Sequence, residues 1–267
     1  MRQWLLLLTI GGAVAQSATV NAQMPLENRA AMPAAVMAYP DVDASTILER
    51  AHAAAGGENF VRPGTLYLEG YNMVHRGTQE WLWDDYRMWR VFADEKGDAH
   101  AVNGKIRIEA RSGGELVFLN AYDGQTSYNA DGPVPSEGSV PWSDSFGFGA
   151  IRHALDDGWT RERRVDRMID GQPTYMIALK DPSGGDTLFG IRQSDHAIVY
   201  VGFQTSRGWH ERRYSDFFTK PGVPWQQAGR VRLFYNGEKA NEAVWTDFDI
   251  GASIDDAVFV VPAGGLR

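Results

Sequence analysis

Cysteine is absent from the 267-residue chain. Disulfides, thiolate metal sites, a cysteine nucleophile and an acylated amino-terminal Cys are therefore all excluded. An excess of positive charge is lacking too. With 26 Lys+Arg against 34 Asp+Glu the formal net charge is −8, which argues against nucleic acid or an anionic membrane surface as the main partner. Beyond the amino terminus no apolar run approaches the roughly 18 residues of a membrane-spanning helix. Recognised catalytic signatures are missing as well: there is no Gly-x-Ser-x-Gly elbow, phosphate-binding P-loop or zinc-protease motif. His210-Glu211-Arg212-Arg213-Tyr214 lacks the second histidine of the zinc motif, and in a strand it would send His210 and Glu211 to opposite faces. Phe146-Gly147-Phe148-Gly149 lacks the leading strand and third glycine of a dinucleotide loop. No metal and no cofactor are expected. Hydrophobic residues at 43% and charged residues at 22% suit a soluble globular chain with a sizeable core.

What is present begins with an export signal. Arg2 is followed by the apolar run Trp4–Ile10, extended by Gly11–Ala15 and closed by small residues. Residues 1–22 read as a signal peptide cleaved after Ala15 or Ala22, which places the mature chain in the periplasm. Residues 23–43 form an Ala/Met/Pro-rich segment expected to be flexible. One domain over 44–262 and a tail over 263–267 complete the organisation.

The first helix is expected over Ser45–Ala55, capped by Asp43 or Ser45 and ended by Gly56-Gly57, with Ile47, Leu48, Ala51 and Ala55 on its apolar face. Thereafter strands dominate: Thr65–His75, Glu80–Phe92, Lys105–Ala110, Glu115–Tyr122, Thr160–Ile169, Thr174–Lys180, Thr187–Arg192, Ala197–Thr205, Trp209–Phe218, Arg230–Tyr235, Ala243–Ile250, with a last candidate at Val258–Val261. Asp170-Gly171 and Asn236-Gly237 are strong hairpin turns. A Pro/Ser/Gly loop and a short helix, Phe146–Leu155, interrupt the succession. So many short-turned strands form an antiparallel meander that must curl, so the fold class is mainly β: a half-open antiparallel barrel covered by a few helices.

Alternation then assigns faces. In Glu80–Phe92 the odd positions place Trp81, Trp83 and Trp89 together. They are core packing or the wall of a ligand cavity; in the second reading Trp142, Phe146 and Phe148 join them. In Thr65–His75, Tyr67, Glu69, Tyr71, Met73 and His75 share a face; in Trp209–Phe218, His210, Arg212, Tyr214, Asp216 and Phe218 do. These mixed sets are solvated outer faces or a polar patch inside the barrel. If the protein is an enzyme, His75 or His210 is the expected acid–base group, with Tyr71, Tyr214 or Asp216 assisting.

Several segments resemble the LolA/LppX-like lipoprotein-carrier superfamily and related exported proteins. Ile47–Gly57 is similar to their amino-terminal helix, Ala121-Tyr122-Asp123-Gly124 to a recurring turn, Tyr214-Ser215-Asp216-Phe217 and Asn236-Gly237 to a later strand region, and Ile254–Pro262 to the closing segment. The resemblance implies a half-open barrel with helices over its mouth and an apolar cavity, carrying acyl chains or lipoproteins through the periplasm without a cofactor. Three functions remain in view: a carrier or binding protein for a lipid or other hydrophobic molecule, a cofactor-independent lyase or hydrolase using the same cavity, and an envelope module that binds another protein.

Overall fold

The computed structural model of the chain describes residues 41–92, 104–135 and 147–266. Helix α1 (Ala44–Ala55) starts where Asp43 Oδ1 accepts the Thr46 N–H at 3.0 Å and Oδ2 accepts the Thr46 hydroxyl at 2.7 Å. Asp43, and not Ser45, is thus the cap. Gly56 ends the helix at φ 137°, where a Cβ would lie 2.5 Å from the Pro224 carbonyl oxygen. A one-turn helix, α2 (Glu58–Val61), follows directly.

Thirteen strands make one sheet. The first meander is β1 (Thr65–Arg76), β2 (Gln79–Phe92), β3 (Gly104–Ser112), β4 (Glu115–Tyr122), β5 (Ser127–Asn129) and β6 (Gly132–Pro133). The second is β7 (Thr160–Ile169), β8 (Gln172–Lys180), β9 (Asp186–Arg192), β10 (Ile198–Thr205), β11 (Gly208–Phe218), β12 (Gln227–Tyr235) and β13 (Glu238–Ile250). The order across the sheet is 6-5-4-3-2-1-13-12-11-10-9-8-7. Each meander is sequential and local. They join at one long-range seam, where β1 pairs antiparallel with β13 from Leu66↔Ile250 to Val74↔Asn241. β6 and β7 remain as the two edges, and the chain between them carries a 3-10 helix, Gly147–His153, from one edge to the other. The sheet does not close, so the architecture is a half-open antiparallel barrel.

The core lies on the concave face. Ile47, Leu48 and Ala51 of α1, with Ala150, Ile151 and Ala154, pack on Tyr175, Ile177, Leu179, Phe189, Ile191, Val201 and Phe203 of β8–β10. Leu66, Leu68, Met88, Ile106, Ala243, Trp245 and Phe248 form a second cluster around the seam, joined by Trp225 from the β11–β12 loop. Phe60 of α2 touches both clusters. Burying each Leu, Ile or Phe contributes about 1.5–3 kcal/mol, so the helices are held by their stripe and not by their length.

Four local expectations change. Val258–Val261 is not a strand: Asp255 Oδ1 accepts the Ala257 N–H at 2.9 Å and starts a 3-10 helix, Asp256–Phe259, which buries Phe259. The helix expected over Phe146–Leu155 is the 3-10 helix Gly147–His153. Two short strands, β5 and β6, were not legible, because three and two residues carry no alternation. In β10 alternation expects Val199, Val201 and Phe203 on one face and Ile198 and Tyr200 on the other; the register shifts between Ile198 and Tyr200, so Ile198 packs with the concave cluster and Val199 with a cluster of Ile169, Met176, Ala197 and Tyr200. The signal segment and residues 23–40 lie outside the described residues.

Candidate functional site

A single irregularity organises the concave face. Gly70 pairs with Tyr86 but Asn72 pairs with Trp83, so β2 carries one more residue than β1 over this stretch. The bulge reverses the phase of alternation. Trp81 and Trp83 fall on the concave face with Tyr86, Met88 and Arg90. Trp89 falls on the convex face, 5.3 Å from the ring of Tyr67 and under the guanidinium of Arg107 at 5.9 Å. The expected shared face of three tryptophans is therefore corrected: two point in, one points out. The bulge residues, Asp84 and Asp85, suit an irregular position, since Asp84 accepts the Gly113 N–H and Asp85 pairs with Arg87 at 2.7 Å.

On the concave side the rings form a continuous series. Trp83 stacks on Phe118 of β4 at 5.4 Å and 16°, and lies tilted against Tyr86 at 6.4 Å. Tyr86 stacks on Trp245 of β13 at 5.0 Å and 20°. Burial pushes the Tyr86 phenol up to about 12, so it is a neutral donor at any physiological pH. Trp81 stands at the rim, 43% exposed. Gly70 allows the close approach: a Cβ there would meet the Val244 carbonyl oxygen at 1.9 Å. Trp142 and Phe146 lie outside the described residues, and Phe148 sits in the 3-10 helix with its side chain outside them.

The acid–base set is split between faces. Tyr71 and His75 alternate with Gly70, Asn72 and Val74 and so lie on the convex face, where His75 Nδ1 meets Glu80 Oε1 at 2.9 Å. Asp216 takes φ 56°, and its exposed carboxylate pairs with Arg230 at 2.7 Å; Arg230 also pairs with Glu242, which bonds Lys239. This ion-pair network is part of the convex surface. The face expected to hold His210, Arg212, Tyr214, Asp216 and Phe218 together thus loses Asp216. His210 and Tyr214 do face inward. His210 is fully buried, stacked on Phe203 at 4.5 Å and edge-on to Tyr235 at 5.2 Å. Its Nε2 accepts the Arg212 Nε–H at 3.0 Å, so that nitrogen carries no proton. Burial raises the Tyr214 phenol to about 12 against the opposing charge of Arg212.

Sequence reasoning passed over the charged residues of the concave face. Arg90 of β2 is 2% exposed and Arg152 of the 3-10 helix 9%. Burial lowers the proton affinity of both, Arg152 to about 10. Asn72 of β1 is 1% exposed. A signal existed: once the bulge is allowed for, Arg90 continues the apolar series Tyr86, Met88. Among the described residues no group of three or more His, Asp or Glu side chains is placed to hold a metal ion, and no helix is long and apolar enough to cross a membrane.

No family model matches the chain, and no curated protein matches it in sequence. Solved structures do match. A LolA superfamily protein from Nitrosomonas europaea is similar over 82% of this chain and 98% of its own, with 13% identity and a TM-score of 0.51. A DUF1329 family protein from Desulfovibrio piger aligns over 81% of this chain and 96% of its own, with 12% identity and a TM-score of 0.47. At such identity the likeness concerns the fold. Taken with the open thirteen-stranded sheet and its helices on the concave side, it shows that the chain has the LolA-like fold.

Proposed function

We propose that the protein is an exported binding or carrier protein for a lipid or other hydrophobic molecule held against the concave face of the sheet. The observation that carries this reading is the ring series Trp83–Phe118 and Trp83–Tyr86–Trp245, contributed by β2, β4 and β13 on the side where the helices also pack. Large rings with a polar edge suit a cavity that takes an apolar chain and orients its polar end. The amino-terminal export signal and the resemblance to lipoprotein carriers support the same reading.

The lyase or hydrolase reading draws less support. His75, Tyr71 and Asp216 lie on the convex side, away from the rings, and His210 already spends Nε2 on Arg212. A base that must first release a cation is poorly placed to take a proton.

Native mass spectrometry of the purified protein, with organic extraction, tests the proposal. A co-purifying lipid or hydrophobic compound is expected. A ligand-free mass, together with no change in Trp fluorescence across a panel of acyl and aromatic compounds, would refute it.

A further inference from the structure

A buried carboxamide asks for partners at both ends, because its N–H groups only donate and its oxygen only accepts. Asn72 of β1 is 1% exposed, and neither its Nδ2 nor its Oδ1 has a hydrogen-bond partner among the described residues. Most buried polar side-chain atoms are paired, so two open ones on a single residue need a cause. The place of Asn72 in the sheet supplies one. It lies on the concave face between Ala243 of β13 and Trp83 of β2, in a row that continues to Val231 of β12. Ala243 and Val231 carry no polar side-chain atom, and Trp83 turns its ring to Phe118, stacked at 5.4 Å. The adjoining row is Trp245–Gly70–Tyr86, where the two rings stack across a residue with no side chain. On the other side lie Val74, Trp81 and Asn241, and Trp81 is 43% exposed. Rows on one face of a strand are about 7 Å apart. Asn72 therefore stands one row inside the rim, at the head of the ring series.

Which group would answer it follows from both ends being open. A carboxylate or an ester oxygen only accepts: it would take the Nδ2 hydrogens and leave Oδ1 facing lone pairs. An ammonium only donates and would leave Nδ2 without an acceptor. An uncharged hydroxyl or carboxamide does both, so one such group satisfies the two ends of Asn72 together. The ionisable side chain of the adjoining row adds no charge of its own, since burial raises the Tyr86 phenol to about 12 and keeps it neutral. Ligand sites that are mostly apolar use a few polar groups of this kind to fix orientation, and a buried amide left unpaired penalises the ligand that lacks a match.

We propose that Asn72 selects the polar group of the ligand: an uncharged hydroxyl or carboxamide that both donates and accepts, on an otherwise apolar molecule whose chain lies along Trp83, Tyr86 and Trp245. The proposal rests on the hydrophobic-ligand reading above and narrows it to neutral amphiphiles. The polar group then sits one row inside the rim, and the chain runs inward past the stacked rings.

The test uses the purified, delipidated protein and four probes that share one hydrocarbon chain, each below its aggregation limit: oleamide, oleyl alcohol, methyl oleate and oleate, at about pH 8 where oleate is ionised. Binding is followed by Trp fluorescence and calorimetry. Oleamide, oleyl alcohol or both should bind at least about ten-fold tighter than methyl oleate and oleate, as paired buried hydrogen bonds allow. The tighter of the two names the group. Asn72→Leu, close to Asn in volume, should abolish that preference and leave methyl oleate affinity within about two-fold. Asn72→Ala repeats the comparison should Asn72→Leu lose its circular dichroism spectrum. Loss of the fold in both variants assigns Asn72 a structural bond and overturns the proposal. Methyl oleate binding as tightly as oleamide and oleyl alcohol assigns the open amide to a buried water, and oleate doing so assigns it to a charged head. Either result, or a preference that survives substitution, overturns the proposal while the hydrophobic-ligand reading stands. No binding of any of the four probes overturns both.

Discussion

Nε2 of His52 lies 2.6 Å from the carbonyl oxygen of Ile151, a contact between residues 99 apart in the chain. It ties α1 to the 3-10 helix that carries Arg152. A carbonyl only accepts, so Nε2 is the protonated nitrogen, and neutral His52 fills the role without paying for a buried charge.

Burial lowers the proton affinity of His52 from its ordinary value of 6.5. The unfolded chain therefore binds the proton more readily than the folded one. Stability from this residue is complete above about pH 6.5 and is lost as the pH falls through that value toward the depressed folded one. Denaturant midpoints measured at pH 7.5 and 5.5 should fall at the lower pH, and His52→Gln should reduce the drop. An unchanged drop in that variant would assign the acid sensitivity elsewhere. His52→Ala should cost about 2 kcal/mol at pH 7.5, through the lost hydrogen bond and the cavity it leaves.

The bulge in β2 separates two tryptophans that the sequence places together. Trp83→Ala should weaken binding of an acyl probe about ten-fold and remove much of the ligand-induced fluorescence change. Trp89→Ala should leave affinity within about two-fold, because Trp89 packs on Tyr67 outside the sheet. Equal losses in the two variants would contradict the register.

Gly70 tests the seam. A Cβ would overlap the Val244 carbonyl oxygen, a backbone atom with no rotamer to change. Gly70→Ala should destabilise the protein by roughly 2–3 kcal/mol in urea unfolding. Faster amide exchange should follow in β1 and β13, with β7–β9 little affected.

The two candidate histidines should separate by role. His210→Ala opens a hole between Phe203 and Tyr235 and should cost about 2–4 kcal/mol. His75→Ala removes a partner of the exposed Glu80 and should cost under about 1 kcal/mol. Thermal unfolding of both variants decides this.

Much of the fold was legible because it is local. Asp170-Gly171 and Asn236-Gly237 take the paired positive φ values of tight hairpins, 47° and 76°, 51° and 86°. The four positions read as the apolar face of the first helix are all buried in α1, with Ala44 and His52 beside them. The candidate site was legible only in part. Trp83, His210 and Tyr214 face inward while Trp89, Tyr71, His75 and Asp216 face outward, and the buried Arg90 and Arg152 were not foreseen. Their positions in the sequence, 62 residues apart, one in β2 and one in the crossover between β6 and β7, carry no sign that they meet.

The amino-acid sequence by itself determined the strands, their turns, the capped first helix and the curled antiparallel class, since backbone preference and alternation act over a few residues. Tertiary structure decided which face each strand shows. One extra residue in β2 and a positive φ at Asp216 exchange inside for outside, and neither is visible until β1 and β12 fix the register. The seam of β1 with β13, and the meeting of Arg90 and Arg152 over Phe92, come from contacts between segments far apart in the chain, where no local rule reaches.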